Sequence, residues 1–171
     1  MRRFSSRRFL PEQKNGFNLF LEKRKMAIIK KKKVVVGGTF EVIHEGHKTL
    51  LKKAFELGEV LVGLTSNTMA RKMRKREVKN FRYRKKELAD FIRKGFKVSP
   101  RIVKIEDKFG PTLKEDFDYI VVSPATYSTA VLINQERQKR KKKPIKIVKI
   151  KFVLDKDKKS ISATKILNPH T

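Results

Sequence analysis

The sequence predicts an α/β fold, a Rossmann-like, doubly wound, five-stranded parallel sheet with helices on both faces. Two observations lead to this prediction. Short apolar runs rich in β-branched residues recur along the chain, and segments with the helical spacing of apolar residues separate them. Strands that alternate with helices at this spacing favour parallel pairing through crossover helices. In such a sheet, ligands bind at the carboxyl ends of the strands, at the switch point beside the first strand.

The composition indicates one domain and no membrane partner. The chain of 171 residues is long enough for one ordinary α/β core, and no apolar stretch approaches the length of a membrane span. The sequence has no cysteine, which excludes a disulfide framework and a thiol nucleophile and is typical of an intracellular protein. We therefore expect a cytoplasmic location.

The net charge of +28 is extreme for a chain of this length. A nucleic-acid-binding protein would use such a charge to neutralise backbone phosphates, and an enzyme with anionic substrates would use it to steer them. The lysines are spread over nearly every predicted element, without a recognisable nucleic-acid-binding motif. Charge therefore leaves both functions open, and non-specific binding of nucleic acid at low salt is expected in either case.

Residues 1–25 differ from the rest of the chain. They are rich in Arg and Ser at the start, and Pro11 and Gly16 interrupt any helical pattern. No apolar periodicity follows that could build a core, so we predict a basic, disordered arm over residues 1–25 and one folded domain over residues 26–171.

The most informative stretch follows the first predicted strand. The β-branched run 34–36 stops at Gly37 and Gly38, and His44 and His47 then open an amphipathic helix that continues to Leu57. Glycine lets a ligand approach the backbone closely, and the N–H groups at the start of a helix attract anions. The pattern therefore predicts a phosphate-binding turn.

Three roles are open for the two histidines: metal ligands, a buried core pair, or hydrogen-bond donors to phosphate. Helical zinc pairs usually have i, i+4 spacing, and the chain offers only one further histidine, His170, and no cysteine. The flanking glycines are poor core-formers. These observations favour the phosphate-binding role and predict no metal ligands.

The remaining elements follow from local signals. Gly58 is expected to end the first helix in a left-handed conformation, and Ser66 or Asn67 to cap the segment that follows the second strand. The other predicted elements are a strand over 59–65, a helix over 83–94 that ends at Gly95, a strand over 98–105, a loop over 109–112, a strand over 119–123, a helix from Thr126 to about Lys143, and an edge strand over 145–153.

Two motifs carry a family resemblance. Residues 38–47 read G-T-F-E-V-I-H-E-G-H, and residues 160–166 read S-I-S-A-T-K-I. The first resembles the G-T-F-(D/E)-x-x-H-x-G-H signature of the nucleotidyltransferase superfamily, which includes the cytidylyltransferases. The second resembles the I-S-S-T-(R/K)-I element of that superfamily. Over about residues 33–167 the chain most resembles the archaeal and eukaryotic type of phosphopantetheine adenylyltransferase.

The resemblance implies a reaction. In that family the adenylyl group of ATP passes to 4'-phosphopantetheine, giving dephospho-coenzyme A and pyrophosphate, with Mg²⁺ offsetting charge on the triphosphate. ATP and 4'-phosphopantetheine are therefore the expected partners, and the oligomeric state is not readable from the sequence. The implied catalytic residues are His44, His47 and Lys72, and the implied substrate- and nucleotide-binding residues are Gly37, Gly38, Thr39, Phe40, Arg84, Ser123, Ser162 and Thr164.

The resemblance also suggests roles. Thr39 and His47 are expected at the α-phosphate and His44 at the nucleotide phosphates. Lys72 is expected at the phosphate of phosphopantetheine, although other basic residues of the run 71–76 are rivals for that role. Ser162 and Thr164 are expected at the β- and γ-phosphates.

The chain departs from the family pattern at three positions. Glu41 replaces an aspartate that we interpret as a hydrogen-bond acceptor fixing the loop, Ala163 replaces a serine, and Leu167 stands where relatives often have arginine. Sister transferases, such as a glycerol-phosphate cytidylyltransferase or a flavin mononucleotide adenylyltransferase, share the core motifs and stay alternatives. A basic nucleic-acid-binding protein is the alternative of another class.

Overall fold

The computed structural model of the protein describes residues 31–151. The strands in this range are β1 (Lys33–Gly38), β2 (Glu59–Thr65), β3 (Arg101–Ile105), β4 (Tyr119–Val122) and β5 (Lys146–Lys149). The α-helices are α1 (Glu45–Leu57), α2 (Asn67–Arg74), α3 (Phe81–Phe96) and α4 (Tyr127–Lys139). The predicted arm over 1–25 and the motif over 160–166, with Ser162 and Thr164, lie outside the described residues.

The strands form one parallel sheet, which confirms the predicted fold class. Their order is β3-β2-β1-β4-β5, and every neighbouring pair is parallel. The chain builds outward from β1 to β3 and then returns to the other side of β1 to form β4. The switch point therefore lies between the carboxyl ends of β1 and β4, beside the first strand as expected.

Alternation along β1 explains why helices cover both faces. Val34 and Val36 pack with residues of α1 and α3 on one face, whereas Val35 packs with residues of α4 on the other. Successive side chains of a strand point to opposite faces, so an uninterrupted apolar run fits a strand that is buried on both sides. None of the helices within residues 31–151 is long and apolar enough to cross a bilayer.

The glycine after α1 has a different purpose from the one predicted. Gly58 has φ 161°, an extended backbone rather than a left-handed one. A Cβ atom at this position would lie 2.1 Å from the carbonyl oxygen of Lys32, so close chain approach requires the glycine. That approach allows the N–H of Glu59 to donate to the same carbonyl at 2.8 Å and start β2. The bounds of β2 agree with the prediction.

Two helix ends also differ from the prediction. Helix α3 continues through Gly95 to Phe96, and Lys97 takes the left-handed conformation with φ 56°. Helix α4 ends at Lys139, before the predicted end near Lys143. There Lys141 has φ 54°, and the N–H of Lys142 donates to the carbonyl of Arg137 at 2.9 Å, which is a Schellman arrangement. A left-handed lysine thus ends both helices, where the sequence predicts Gly95 at the end of α3 and an end before Pro144 for α4.

Strands β3 and β5 are shorter than predicted within the described range. Strand β3 begins at Arg101 and not at Val98, because Pro100 has no N–H with which to join the ladder. Strand β5 is an edge strand, as predicted, and Lys146 and Lys149 are exposed on it.

Candidate active site

The turn that leaves β1 holds an aromatic residue in a left-handed conformation. Phe40 has φ 44° and is buried. A Cβ atom on Gly38 would lie 2.8 Å from the Phe40 ring, so the second glycine provides space for this side chain. Gly37 is different, because a Cβ atom there would contact only the carbonyl oxygen of Gly63, at 3.9 Å. Open space for a ligand is therefore a property of Gly37 more than of Gly38.

The two histidines stack on each other directly after this turn. Their ring centroids are 3.8 Å apart, and the His47 ring also lies 4.7 Å from that of Phe40. His47 Nδ1 is 3.0 Å from the carbonyl oxygen of Val42. A carbonyl can only accept, so Nδ1 carries the hydrogen, and Nε2 of the neutral ring has a lone pair instead.

His44 is held from another side. A Cβ atom on Gly46 would lie 3.1 Å from the His44 ring, so this glycine admits the ring. His44 Nδ1 is buried and has no hydrogen-bond partner among the described residues. A buried polar atom without a partner costs free energy, and such atoms are typical of ligand-binding sites.

Both histidines are neutral at pH 7 in this arrangement. Burial, with smaller contributions from His44 and Arg74, lowers the pKa of His47 to about 3, although the hydrogen bond to Val42 acts in the opposite direction. Burial also lowers the pKa of His44, with a second contribution from the charge of Arg74. Arg74, half-buried at the end of α2, is thus the cation of that helix that acts on both rings.

Lys72, the residue predicted at the acceptor phosphate, is exposed on the same helix. Its predicted role at the acceptor phosphate stays a prediction. Ser123 follows β4 at the switch point, where its hydroxyl lies 3.1 Å from that of Thr126 in a capping arrangement. Its predicted contact with the nucleotide likewise stays a prediction.

An ion pair between the buried Glu41 and the half-buried Arg76 fixes the turn to the segment after α2. The carboxylate of Glu41 accepts hydrogen bonds from both terminal nitrogens of Arg76, at 2.8 and 3.1 Å, and from the N–H of Lys79 at 3.2 Å. Burial alone would raise the pKa of Glu41, but these hydrogen bonds outweigh it, so the pKa lies below its ordinary value. Glu41 thus fixes the loop as a hydrogen-bond acceptor, as interpreted from the sequence.

Arg84 supports the site from beneath. Its guanidinium is fully buried. All five N–H groups are used, by the carbonyls of Lys79, Thr39 and Thr65, the hydroxyl of Thr65 and the amide oxygen of Asn67. The family resemblance implies that Arg84 binds nucleotide, but in this structure none of its N–H groups remains for a ligand. Arg84 therefore acts on the turn and on the end of β2 through protein groups.

An apolar cavity of about 130 Å³ lies beside the turn, at the carboxyl edge of the sheet. It spans the switch point, because β1 and β4 both line it. Met69 and Met73 of α2 form one wall, and Phe109 and Pro111 of the predicted loop form another. Sequence reasoning identified the loop but missed the two methionines, whose i, i+4 spacing within a basic run was the available signal.

The described residues offer no ready-made metal site. Within residues 31–151, no three side chains of His, Cys, Asp or Glu come together in a way that could hold an ion. The nearest carboxylates are Glu41, which accepts from Arg76 and Lys79, and Glu45, which follows His44 in the chain and acts on its ring.

Comparisons with known proteins identify the family of the chain. The profile of the cytidylyltransferase-like family matches residues 35–168. The chain is 42% identical over 139 residues to a phosphopantetheine adenylyltransferase of Methanosarcina mazei, covering 78% of this chain and 89% of the relative. It is 44% identical over 136 residues to the phosphopantetheine adenylyltransferase of Archaeoglobus fulgidus, covering 78% of this chain and 91% of the relative.

Solved structures give the same fold. A crystal structure of a protein of unknown function from Archaeoglobus fulgidus matches with a TM-score of 0.67 and 43% identity, over 71% of this chain and 99% of that one. A pantoate-beta-alanine ligase from Francisella tularensis, in complex with an ATP analogue and beta-alanine, matches with a TM-score of 0.56 at 16% identity, over 86% of this chain and 69% of that one. The second likeness concerns the fold alone.

Proposed function

Because the chain belongs to the cytidylyltransferase-like family, and within it to the phosphopantetheine adenylyltransferases, we propose that it transfers the adenylyl group of ATP to 4'-phosphopantetheine. The products are dephospho-coenzyme A and pyrophosphate, a step of coenzyme A biosynthesis. The enzyme is thus a nucleotidyltransferase, and ATP and 4'-phosphopantetheine are its substrates.

The chemistry needs positioning and charge stabilisation more than a nucleophilic side chain. An oxygen of the 4'-phosphate attacks the α-phosphorus of ATP, and the bond from that phosphorus to the bridging oxygen of the β-phosphate breaks. The electron pair leaves with pyrophosphate. Because the attacking group is already an anion, no base has to remove a proton from it.

His47 has to gain a proton to take part. Its Nδ1–H is used by Val42, so Nε2 can donate to a phosphate oxygen only when the ring is an imidazolium. The negative charge of an arriving triphosphate raises the pKa of the ring and favours that form. In this proposal, the imidazolium of His47 and the hydroxyl of Thr39 stabilise the α-phosphate in the transition state. His44, whose buried Nδ1 lacks a partner among the described residues, binds the adjoining phosphates.

The apolar cavity is the observation that carries the assignment of acceptor. Glycerol phosphate is polar throughout, whereas phosphopantetheine has a long arm with gem-dimethyl and methylene groups. A cavity lined by Met69, Met73, Phe109 and Pro111 removes such groups from water and favours the pantetheine arm. Gly37 and Gly38 also line the cavity, so an occupant lies next to the start of the turn.

Mg²⁺ enters this proposal only with the nucleotide. The described residues do not offer a protein cage for the ion, so we assign no step to it. Mg²⁺ keeps several waters and is commonly held by substrate phosphates, which is the arrangement that fits this site. Since ATP and phosphopantetheine are intracellular metabolites, we also propose that the enzyme acts in the cytoplasm.

The test is a panel assay of pyrophosphate release. ATP and CTP are each paired with 4'-phosphopantetheine, glycerol 3-phosphate and flavin mononucleotide, in the presence of Mg²⁺. We expect turnover with ATP and 4'-phosphopantetheine at a kcat/KM at least a hundredfold above every other pair. A preference for CTP or for another acceptor would replace this function with that of a sister transferase.

A further inference from the structure

Thr65, the last residue of β2, joins the buried arginine to the phosphate-binding turn. Its hydroxyl accepts a hydrogen bond from Arg84 at 3.3 Å and donates one to the hydroxyl of Thr39, also at 3.3 Å. Thr65 and Thr39 are both buried. Three side chains from α3, β2 and the turn therefore form one hydrogen-bonded chain beneath the site.

The hydrogen bonds from Arg84 through Thr65 to Thr39 have a fixed donor-to-acceptor direction. A guanidinium can only donate, so the Thr65 oxygen has to accept from Arg84, and its single hydrogen is directed to Thr39. The oxygen of Thr39 is then an acceptor on this side, and its own hydrogen points to another acceptor. An orientation of this kind makes the Thr39 hydroxyl a donor before any substrate arrives.

The surrounding contacts hold this geometry in place. Arg84 also donates to the carbonyl of Thr65 at 2.9 Å and to that of Thr39 at 2.9 Å. The peptide plane places the N–H of Phe40 opposite the Thr39 carbonyl, so the same contact directs that N–H away from the buried guanidinium. The backbones of Thr65 and Thr39 are therefore both fixed relative to the rigid guanidinium of Arg84. The burial of Thr65 leaves its hydroxyl little freedom to turn elsewhere. We call the hydrogen bonds from Arg84 through Thr65 to Thr39 the relay.

We propose that Thr65 is a positioning residue for the transfer reaction, which orients the hydroxyl of Thr39 to donate to the α-phosphate. This inference rests on the proposed function, because it needs an α-phosphate at the turn. It assigns to Thr65 and Arg84 a role that requires neither of them to touch a substrate. A donor that is already oriented pays no reorganisation cost when charge develops on the phosphate.

The experiment compares two substitutions of the same residue. Thr65→Ser keeps the hydroxyl, whereas Thr65→Val replaces it with a methyl group of nearly the same volume. With saturating ATP and 4'-phosphopantetheine, we expect kcat of T65V to fall about tenfold to a hundredfold, the scale of a misdirected hydrogen bond to a charged group. T65S should stay within about threefold of the wild type, and thermal unfolding should show T65V folded at the assay temperature.

Comparing T39V with the double variant T39V/T65V separates positioning of Thr39 from a general structural effect of T65V. If Thr65 acts only through Thr39, then T65V added to Thr39→Val should change kcat by less than about twofold. Equal kcat values for T65V and T65S, or a further tenfold loss when T65V is added to T39V, would overturn the relay. Absence of turnover by the wild-type enzyme with these substrates would instead overturn the proposed function, so the two failures are distinguishable.

Discussion

His47 Nδ1 lies 3.0 Å from the carbonyl oxygen of Val42, and this contact decides which proton His47 can use. The neutral ring faces the site with a lone pair, and only the imidazolium can donate to a phosphate there. Burial and neighbouring positive charge keep the ring neutral in the absence of substrate, with a pKa of about 3. Binding of a triphosphate should therefore be linked to proton uptake.

The first prediction is that this uptake can be measured. Calorimetric titration with a non-reactive ATP analogue at pH 7, in buffers of different ionisation enthalpy, should show net uptake of protons. His47→Asn keeps a donor for Val42 but has no group that titrates, so its binding enthalpy should depend much less on the buffer. Its kcat should fall about a hundredfold, the scale of one lost transition-state donor. Equal buffer dependence in both proteins would contradict the proton role of His47.

The second prediction concerns stability and pH. The pKa of His47 is about 3 in the folded protein and 6.5 as its ordinary value, so the unfolded state binds more protons between these limits. The contribution of His47 to stability is thus complete above pH 6.5 and is lost as pH falls. Chemical denaturation between pH 6 and pH 4.5 should show the free energy of unfolding decreasing by about 1.4 kcal/mol per pH unit more in the wild type than in H47N. Parallel pH dependences would show that the ring is not buried in its neutral form.

The third prediction uses the two adjacent glycines as a matched pair. Gly38→Ala puts a methyl group against the Phe40 ring and should lower the free energy of unfolding by about 1–3 kcal/mol. Gly37→Ala meets only the Gly63 carbonyl at 3.9 Å and should leave stability nearly unchanged, while it raises the KM for ATP. Urea denaturation and steady-state kinetics measure the two effects. Similar destabilisation by both alanines would refute the distinction.

The fold could be predicted from the sequence because apolar patterning and helix caps are strong, local signals. The apolar runs of β1 and β4 and the bounds of β2 follow from patterning, and Ser66 accepts the Met69 N–H at 3.1 Å as an ordinary cap should. The helix ends were less predictable. Lys97 and Lys141 take left-handed conformations that sequence rules assign to glycine, because tertiary packing can impose them on lysine at a modest cost.

The motif predicts the position of the turn and its histidines, but not the contacts that support the turn. The roles of the histidines and Thr39 stay predictions, whereas Arg84, predicted at the ligand, lies buried beneath the turn. The burial of Arg137, which donates to the carbonyls of Thr112 and Glu115, was not predicted, because Arg137 lies in a Lys- and Arg-rich segment. In a chain with 45 Lys and Arg residues, charge carries little information about burial, and only the folded contacts distinguish an internal arginine from a solvated one.

The fourth prediction compares two cations of helix α2. The positive charge of Arg74 lowers the pKa of both histidines, so Arg74→Ala should raise both values. Lys72→Ala should leave them unchanged, because Lys72 contributes to neither. Proton NMR titration of the histidine ring signals measures the pKa values in all three proteins. If Lys72 binds the acceptor phosphate as the sequence predicts, K72A should also raise the KM for 4'-phosphopantetheine, and an unchanged KM would remove Lys72 from that role.

The last prediction addresses the charge of +28, which leaves a nucleic-acid-binding function as the alternative. Any strongly basic surface attracts a polyanion at low salt, and the logarithm of the binding constant falls linearly with the logarithm of the salt concentration. A pocket that binds phosphates through directed hydrogen bonds is screened less. Nucleic-acid binding should therefore fade near 0.15 M salt, while adenylyl transfer continues.

Charge reversal separates the two activities. Four basic residues at and after the end of α4 are exposed or half-buried and lie far along the chain from the histidines: Lys139, Arg140, Lys141 and Lys142. Replacing all four by Glu should remove much of the nucleic-acid binding at low salt. It should change kcat by no more than about twofold. A matched set on α3, with the same change in net charge, is Arg82, Lys85, Lys86 and Lys94.

Similar loss of nucleic-acid binding in both sets would indicate diffuse attraction to net charge, as expected for an enzyme. Submicromolar binding at about 0.15 M salt that only one set abolishes, without pyrophosphate release from any acceptor, would favour the nucleic-acid-binding function instead, because a dedicated site concentrates its phosphate contacts on one surface.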